Sequence, residues 1–486
     1  MKSTLAATLA ILLSTATAAT AEDLRGALAA AYNFNASINA QRAATRAADE
    51  AIAQAKAGYR PQVFSDAQFG FARTIRSARS SRPATPDQNL VAVDAAGNPL
   101  TVTIPGTPAV SGRNKTRQDS VPASFGITVT QPLFQGFTIV NNVNQQEARV
   151  RASRAQLGLT VQQTFFQVAQ AYADIKLAEE LVSVRQQNIS FLLEQVRSAN
   201  ARLEVGEGTR TDVAQSQARL ELGRTQVTLA RSDILTARAD LQQFVGRAIE
   251  ANGPPRIPRR LLPNSLSSAL SIAVTNNPAI RAAEHLVDAQ AFAVKVAEGE
   301  LLPSLSASVS GTNSYDLSSP DSRSTDLRGL LTLRVPIYQG GALSAAVRRN
   351  KEVLGQTRIE LDLRRDQVRS QVRTAWALLQ AARSNVRASR AQVSSARLAL
   401  SGVIEERNVG QRTQLDVLQA QSAVLTAQEQ AAQARNLEVV AAFSLLQSIG
   451  RLTPRRLGLH VDYYDPKAHY RATVDRWYGL RTPDKR

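Results

Sequence analysis

Two periodicities run through the chain. Apolar and small residues recur at Val368, Val372, Ala375, Leu379, Ala382, Val386, Ser389, Val393, Ala396 and Leu400, with spacings that alternate four and three. This is a heptad seam, largely small residues in one register and branched ones in the other, and it predicts a helix packed lengthwise on a neighbour. The stretch from about 341 to 407 contains no proline. At about 1.5 Å per residue it makes a rod of roughly 100 Å. Its twin runs from about 138 to 203. Such a rod has no globular core of its own and must pack laterally against other helices, from its own chain or from copies of it. The second periodicity is two. Phe125, Ile127 and Val129 alternate with Ser124, Gly126, Thr128 and Thr130. Leu305, Ala307 and Val309 alternate with serines, every second residue of Leu327–Val335 is Leu, Gly or Val, and Val63–Phe71 follows more weakly. These runs predict four strands. One apolar face and one small polar face suit a wall between lipid and water; a half-buried strand of a soluble sheet has the same pattern.

The chain also repeats itself. VGEGTRTDVAQSQARL at 205–220 returns as VGQRTQLDVLQAQSAV at 409–424, identical at seven of the sixteen positions. Gln131-Pro132-Leu133-Phe134-Gln135-Gly136 matches Val335-Pro336-Ile337-Tyr338-Gln339-Gly340, and Val245-Gly246-Arg247 matches Ile449-Gly450-Arg451, all at an offset of 204. Upstream, Asn35-Ala36-Ser37-Ile38 matches Asn277-Pro278-Ala279-Ile280 and Pro61 matches Pro303 at an offset of 242, so the first copy carries 38 extra residues between Pro61 and Gln131. The Ser-, Thr-, Pro- and Gly-rich stretch 77–120 is the place for them, and Gly97-Asn98-Pro99 between two alternating runs predicts a hairpin over Leu90–Thr103. The organisation that follows is a first repeat over 22–249, a linker over 250–263, a second repeat over 264–451 and a tail over 452–486. Each repeat holds a helical segment (24–58 and 265–300), two strands, a long helix, a glycine turn and a second long helix. Gly206 and Gly410 stand where helix C-terminal caps belong. Thr209-x-x-Asp212 and Thr413-x-x-Asp416 have the spacing of a capping box.

Composition narrows the function. Residues 1–21, with Lys2, the apolar run Leu5–Leu13 and Ala19-Thr20-Ala21, read as a secretory signal peptide, too short to serve as a spanning anchor. There is no cysteine, so disulfides, thiolate chemistry and cysteine-based metal sites are excluded. No later apolar run approaches the ~18 residues of a spanning helix, which leaves strands as the way across a membrane. The net charge of +18 raises nucleic acid as a partner. The arginines are spread along helical segments among acids, with no basic cluster that carries stacking aromatics, so no nucleic acid is expected. His285, His460 and His469 are scattered. No H-E-x-x-H, P-loop, G-x-S-x-G or G-x-G-x-x-G motif in its proper context occurs, so no enzyme, metal or cofactor is expected. Four strands cannot close a barrel, and an open sheet in lipid leaves its edges unpaired. If the strands lie in lipid, copies of the chain must pool them.

These features together resemble the TolC family of outer-membrane channels. The carriers are the tandem repeat, Gly58-Tyr59-Arg60-Pro61 before the first strand, Gln131-Pro132-Leu133-Phe134 with its echo, and the two Val-Gly…Thr-x-x-Asp turns. The resemblance implies an α+β membrane protein: a homotrimer with a 12-stranded β-barrel in outer-membrane lipid, four strands per chain, continuous with a long periplasmic α-helical barrel. It implies an exit duct for type I protein secretion or multidrug efflux, working with a periplasmic adaptor and an inner-membrane ABC or proton-driven transporter. It makes Val205, Gly206, Thr209, Val409, Gly410 and Thr413 adaptor-binding tips, and Asp212, Arg412, Asp416 and Gln419 gate residues. On that scheme Arg412 pairs with Asp212 of the neighbouring hairpin and Asp416 contributes a ring of carboxylates. Gln419 departs from members that carry a second acid there, and Arg407 stands where some have a latch tyrosine. The alternative is a periplasmic coiled-coil scaffold without a pore, which accounts for the heptads and not for the paired strands.

Overall fold

The computed structural model describes residues 20–316 and 321–483; the predicted signal peptide, up to residue 19, lies outside them, as do the last three residues of the tail. In chain order the elements are β1 (Thr20–Glu22), α1 (Leu24–Phe34), α2 (Ala36–Lys56), β2 (Gln62–Phe69), β3 (Ala72–Arg82), β4 (Gln88–Val93), β5 (Pro99–Ile104), β6 (Val110–Ser120), β7 (Ala123–Gln135), α3 (Thr138–Glu204), α4 (Arg210–Val245), β8 (Ile249–Ala251), α5 (Leu266–Asn276), α6 (Pro278–Gly299), β9 (Ser304–Tyr315), β10 (Arg323–Arg334), α7 (Ala342–Asn408), α8 (Gln414–Ser448), α9 (Pro454–Leu457) and α10 (Ala468–Thr473). They fall into two compact units, one helical and one of strands.

In the helical unit, α3 and α7 are each 67 residues long. The seam of α7 is buried from Val368 through Val372, Ala375, Leu379, Ala382 and Val386 to Ser389, and α7 packs against α8. The largest core gathers Leu28, Phe165, Tyr172, Leu241, Leu379 and Phe443. Each helical segment expected over 24–58 and 265–300 is two helices, broken at Asn35 and at Asn277. The two breaks share one side-chain device, to which Pro278 adds in the second copy. Asn35 Oδ1 accepts from Ile38 N at 3.1 Å while its Nδ2 donates to Phe244 O at 2.6 Å. Asn277 Oδ1 accepts from Ala279 N at 2.9 Å while its Nδ2 donates to Ser448 O at 2.8 Å. One side chain therefore caps the new helix and ties it to the end of the long hairpin of its own repeat. The backbone comes close there. A Cβ on Gly246 would meet Phe34 O at 2.7 Å, and one on Gly450 would meet Asn276 O at 2.5 Å. Both glycines also have φ near +80°, at +86° and +74°, which only glycine adopts at little cost.

The predicted mature start is anchored. Asp23 caps α1 by accepting from Gly26 N at 2.8 Å, and Arg247 bonds Glu22. Tyr172 donates its hydroxyl to Asn252 O at 2.6 Å and Gly253 O at 3.0 Å. Burial, with the charges of Asp23 and Glu179, pushes that phenol up to about 12, so it stays a donor. The tail is placed as well. Its α10 lies on α2, where buried His469 sits 3.6 Å from Asp49, itself 2.9 Å from Arg154.

In the strand unit a single antiparallel sheet runs β10-β9-β7-β2. The register pairs Leu331 with Ala307, Leu333 with Leu305, Val129 with Val309 and Val63 with Val129, all on one face. The other face pairs Thr332 with Ser306, Thr128 with Ser310 and Gly126 with Thr312. Apolar Val63, Phe69, Phe125, Ile127, Val309, Leu327, Leu331 and Leu333 are exposed. Neither β2 nor β10 has a second partner among the described residues. Between β2 and β7 the chain forms a ribbon of β3 with β6 and a hairpin of β4 with β5, whose turn is held by Asp94 Oδ1 accepting from Ala96 N and Asn98 N, both at 2.9 Å.

Candidate functional site: the paired helical turns

The repeated turns are built alike. At the end of α3, Gly206 N donates to Leu203 O at 3.1 Å and Glu207 N to Arg202 O at 2.9 Å. At the end of α7, Gly410 N donates to Arg407 O at 3.0 Å and Gln411 N to Glu406 O at 2.9 Å. These are Schellman caps, with Gly206 at φ +81° and Gly410 at φ +79°. Thr209 and Thr413 then open α4 and α8 with complete capping boxes. Asp212 N donates to Thr209 Oγ1 at 3.1 Å and Asp212 Oδ2 accepts from Thr209 N at 3.1 Å. Asp416 N donates to Thr413 Oγ1 at 3.2 Å and Asp416 Oδ2 accepts from Thr413 N at 2.9 Å. The Thr413 N–H and hydroxyl, with the charge of Arg412, hold the Asp416 carboxyl below the usual carboxylate range. Gly, Thr and Asp thus recur because the turn needs them, whatever else they do.

What caps leave unexplained is the outward surface. Val205 and Val409 are 71% and 72% exposed at equivalent corners, beside open Gly206 and Gly410. Gln419 is exposed on α8. Arg412 does not meet Asp212 within the chain; its Nε donates to Glu406 Oε2 at 2.8 Å, and that hydrogen bond and charge raise its already high pKa.

Behind the turns lies a feature that sequence reading missed. Arg407 is buried, and its Nη1 donates to Gln195 Oε1 at 3.0 Å and Gln414 Oε1 at 2.8 Å. Gln414 Nε2 donates in turn to Gln195 Oε1 at 3.2 Å and Ser216 Oγ at 3.4 Å. Burial, and then the nearby charge of Arg202, lower the proton affinity of this guanidinium. All four helices of the two hairpins meet at this cluster. Leu192, Leu220 and Leu418 form an apolar layer beside it. Further along, Gln421 Nε2 donates to Asn188 Oδ1 at 2.8 Å and Arg185 pairs with Glu429 at 2.7 Å. No spacing rule marks these residues, since apart from Arg407 and Gln414, seven residues apart across the turn, the partners lie about 200 residues away or more.

Residues 27–247 and 269–451 each match the family model described as outer membrane efflux protein. The chain belongs to the outer membrane efflux protein family. The family match falls on the two repeats in turn. The chain is 39% identical to the outer membrane efflux protein BepC of Brucella suis biovar 1, over 98% of this chain and 97% of that protein. It is 26% identical to the alkaline protease secretion protein AprF of Pseudomonas aeruginosa, over 64% of this chain and 66% of that one. Among solved structures, CusC superposes with a TM-score of 0.71 over 89% of this chain and 93% of that one, at 16% identity, a likeness of fold. The protein is therefore an outer-membrane channel of the efflux and secretion type, with a TolC-like α+β fold and a periplasmic extension.

Proposed function

We propose that three copies of the chain form one duct, pooling four strands each into a 12-stranded barrel, and that the helical hairpins continue it through the periplasm. The observation that carries this reading is the sheet β10-β9-β7-β2. It has an exposed apolar face, a second face rich in Ser, Thr and Gly that also carries Asp66, Asp326 and Arg328, and two edges without a partner among the described residues. Each unpaired backbone group in lipid costs several kcal/mol, so closure by identical neighbours removes the penalty. The cargo is a small drug-like compound or a secreted protein, delivered by an inner-membrane ABC or proton-driven transporter.

The paired turns are the periplasmic mouth. Val205, Gly206, Thr209, Val409, Gly410 and Thr413 present the adaptor surface, because apolar corners and bare glycine backbone offer a flat docking face once the caps are satisfied. Asp212, Arg412, Asp416 and Gln419 set the gate. Arg412 exchanges Glu406 for Asp212 of a neighbouring hairpin when the mouth is closed. Gln419 leaves each subunit one acid fewer, so Asp416 alone supplies the carboxylate ring. The test is the purified protein in planar bilayers. A heat-modifiable trimer with defined conductance is expected, and Arg412→Ser with Asp212→Ser should raise that conductance. A monomer that forms no pores would overturn the duct; a pore unchanged by both substitutions would overturn the latch alone.

A further inference from the structure

We propose that the ribbon of β3 and β6 is a docking surface for the phosphate groups of anionic glycolipid in the outer leaflet. The register places Arg73 opposite Asp119, Ile75 opposite Arg117, Ser77 opposite Lys115 and Arg79 opposite Arg113. Side chains alternate across a strand, so all of these share one face. That face carries five cations and one acid, and the acid is already engaged. Asp119 accepts from Arg73 at 2.7 and 3.2 Å and lies 3.6 Å from Arg117. Beyond it, Arg79 and Arg113 face each other directly with Lys115 on the diagonal, and none of the three has a carboxylate within ion-pair distance among the described residues. All three are exposed.

Like charges directly opposite on a ribbon are unfavourable. The nearest acids in sequence do not relieve them. Asp94 is bound into its own turn, and Asp87 accepts from Gly106 N at 2.5 Å. The ribbon thus holds a place for an anion from outside the chain. Guanidinium forks match phosphate oxygens two at a time, and a cluster of cations at a membrane surface reads as a lipid phosphate site.

Placement selects the source of that phosphate. The ribbon follows the β2/β7 pair in the same register after a two-residue gap in each strand, bridged by Gly70 N donating to Pro122 O at 2.9 Å. The apolar face of the sheet ends at Phe69 and Phe71, and exposed aromatic residues at the end of a spanning strand mark the lipid–water interface. The guanidinium of Arg73 lies 5.6 Å from the Phe71 ring, and the cations begin there. Arg73 and Arg117 stand at that interface, and the Arg79–Arg113 pair follows on the same face about 26 Å beyond Phe71 along the strand, the depth of a phosphorylated glycolipid head group with its inner sugars. This rests on the duct reading, which turns the β2–β7 connection to the cell exterior.

The test uses the full-length protein in detergent, with purified lipopolysaccharide as probe and the same material stripped of its lipid phosphates as control. The variant is Arg79→Gln, Arg113→Gln and Lys115→Gln together. Each basic residue beside an anionic lipid surface strengthens binding about five-fold, so the triple variant should bind about 100-fold more weakly. The stripped lipid should be bound as weakly, and added salt should weaken only the wild type. Equal binding by the variant, or equal binding of the stripped lipid, overturns the proposal. So does dissociation of the variant's oligomer in mild detergent, which would mean that a neighbouring subunit supplies the counter-charge. Conductance of the variant should match wild type. Absence of conductance in the wild type itself would sink the duct reading instead.

Discussion

Arg407 and Gln195, at the ends of two different hairpins, are joined by a 3.0 Å hydrogen bond in a buried cluster that holds no carboxylate. A buried cation held only by amides binds less firmly than one paired with an acid, and Arg202 repels it. The cluster is therefore a joint that can part at modest cost. Arg407→Ala leaves Gln414 Oε1 without its donor, at about 1–3 kcal/mol, while Gln195 Oε1 keeps the bond from Gln414 Nε2. Hydrogen exchange should speed up at the ends of α3 and α7 and the starts of α4 and α8, and conductance should rise. Arg412→Ala, which removes only an exposed pair with Glu406, should leave exchange behind the turn unchanged. The reverse ranking would move the joint from the buried cluster to the surface.

Acid should not unlock the turn of the second hairpin until well below neutral pH. The Asp416 carboxyl is held below its ordinary value, chiefly by the Thr413 N–H. A depressed folded pKa adds stability above the unfolded value, and that stability is lost as pH falls through the folded one. The cap is thus intact at pH 5 and fails only below the ordinary carboxylate range. Asp416→Asn should remove the pH dependence, whereas Thr413→Ala, which keeps the Thr413 N–H, should cost about 1 kcal/mol of the cap and retain most of that dependence. Exchange at the start of α8, followed from pH 7 to pH 3, reads this directly; loss of protection already at pH 5 would contradict it.

The elements legible in the sequence are those specified by short-range pattern. The seam from Val368 to Ser389 is buried as its heptads require, and the Thr-x-x-Asp boxes form at both sites because every partner lies within three residues. The break at Asn35 was not legible, whereas the one at Asn277 is marked by Pro278, which has no N–H to continue α5 and opens α6. Asn is a tolerable helix residue, and its decisive bond goes to Phe244 or Ser448, about 170 to 210 residues away. Arg407 was marked by its place at the latch position of some family members, but its burial under Gln195 and Gln414 was not legible, because a charged residue on a polar-looking helix face gives no sign of such partners. The roles of Val205 and Val409 depend on partners outside the chain.

Glycines of the repeat should separate into two kinds. At Gly246 and Gly450 alanine faces a left-handed backbone and also a carbonyl oxygen, of Phe34 or Asn276, inside van der Waals contact. At Gly206 and Gly410 it faces only the left-handed backbone, since nothing lies within 4 Å. The first kind should cost well over the second, which is set by the αL penalty of about 1–2 kcal/mol. Thermal denaturation should show Gly246→Ala and Gly450→Ala melting early. Gly206→Ala and Gly410→Ala should melt closer to wild type yet fail in export, if the added methyl group lies on an adaptor-docking face as proposed. Export unchanged in both would remove these glycines from that face.

Asp49 is the sternest test of the helical unit, because its side chain is wholly buried and its charge is balanced by Arg154 at 2.9 Å, with His469 of the tail at 3.6 Å. Burial raises its pKa, and the Arg154 and His469 charges pull it back only in part. Arg154→Met leaves the carboxylate buried without its guanidinium and should cost about 3–5 kcal/mol at pH 7. Adding Asp49→Asn should restore most of that loss, since the uncompensated charge is gone. A raised folded pKa favours the fold at low pH and withdraws that support as pH rises through it. The deficit of Arg154→Met should therefore narrow between pH 7 and pH 5 and vanish from the double variant. If the double variant is no more stable than Arg154→Met, the loss is one of packing around Tyr470, whose ring lies 5.5 Å from the Arg154 guanidinium, and not of charge.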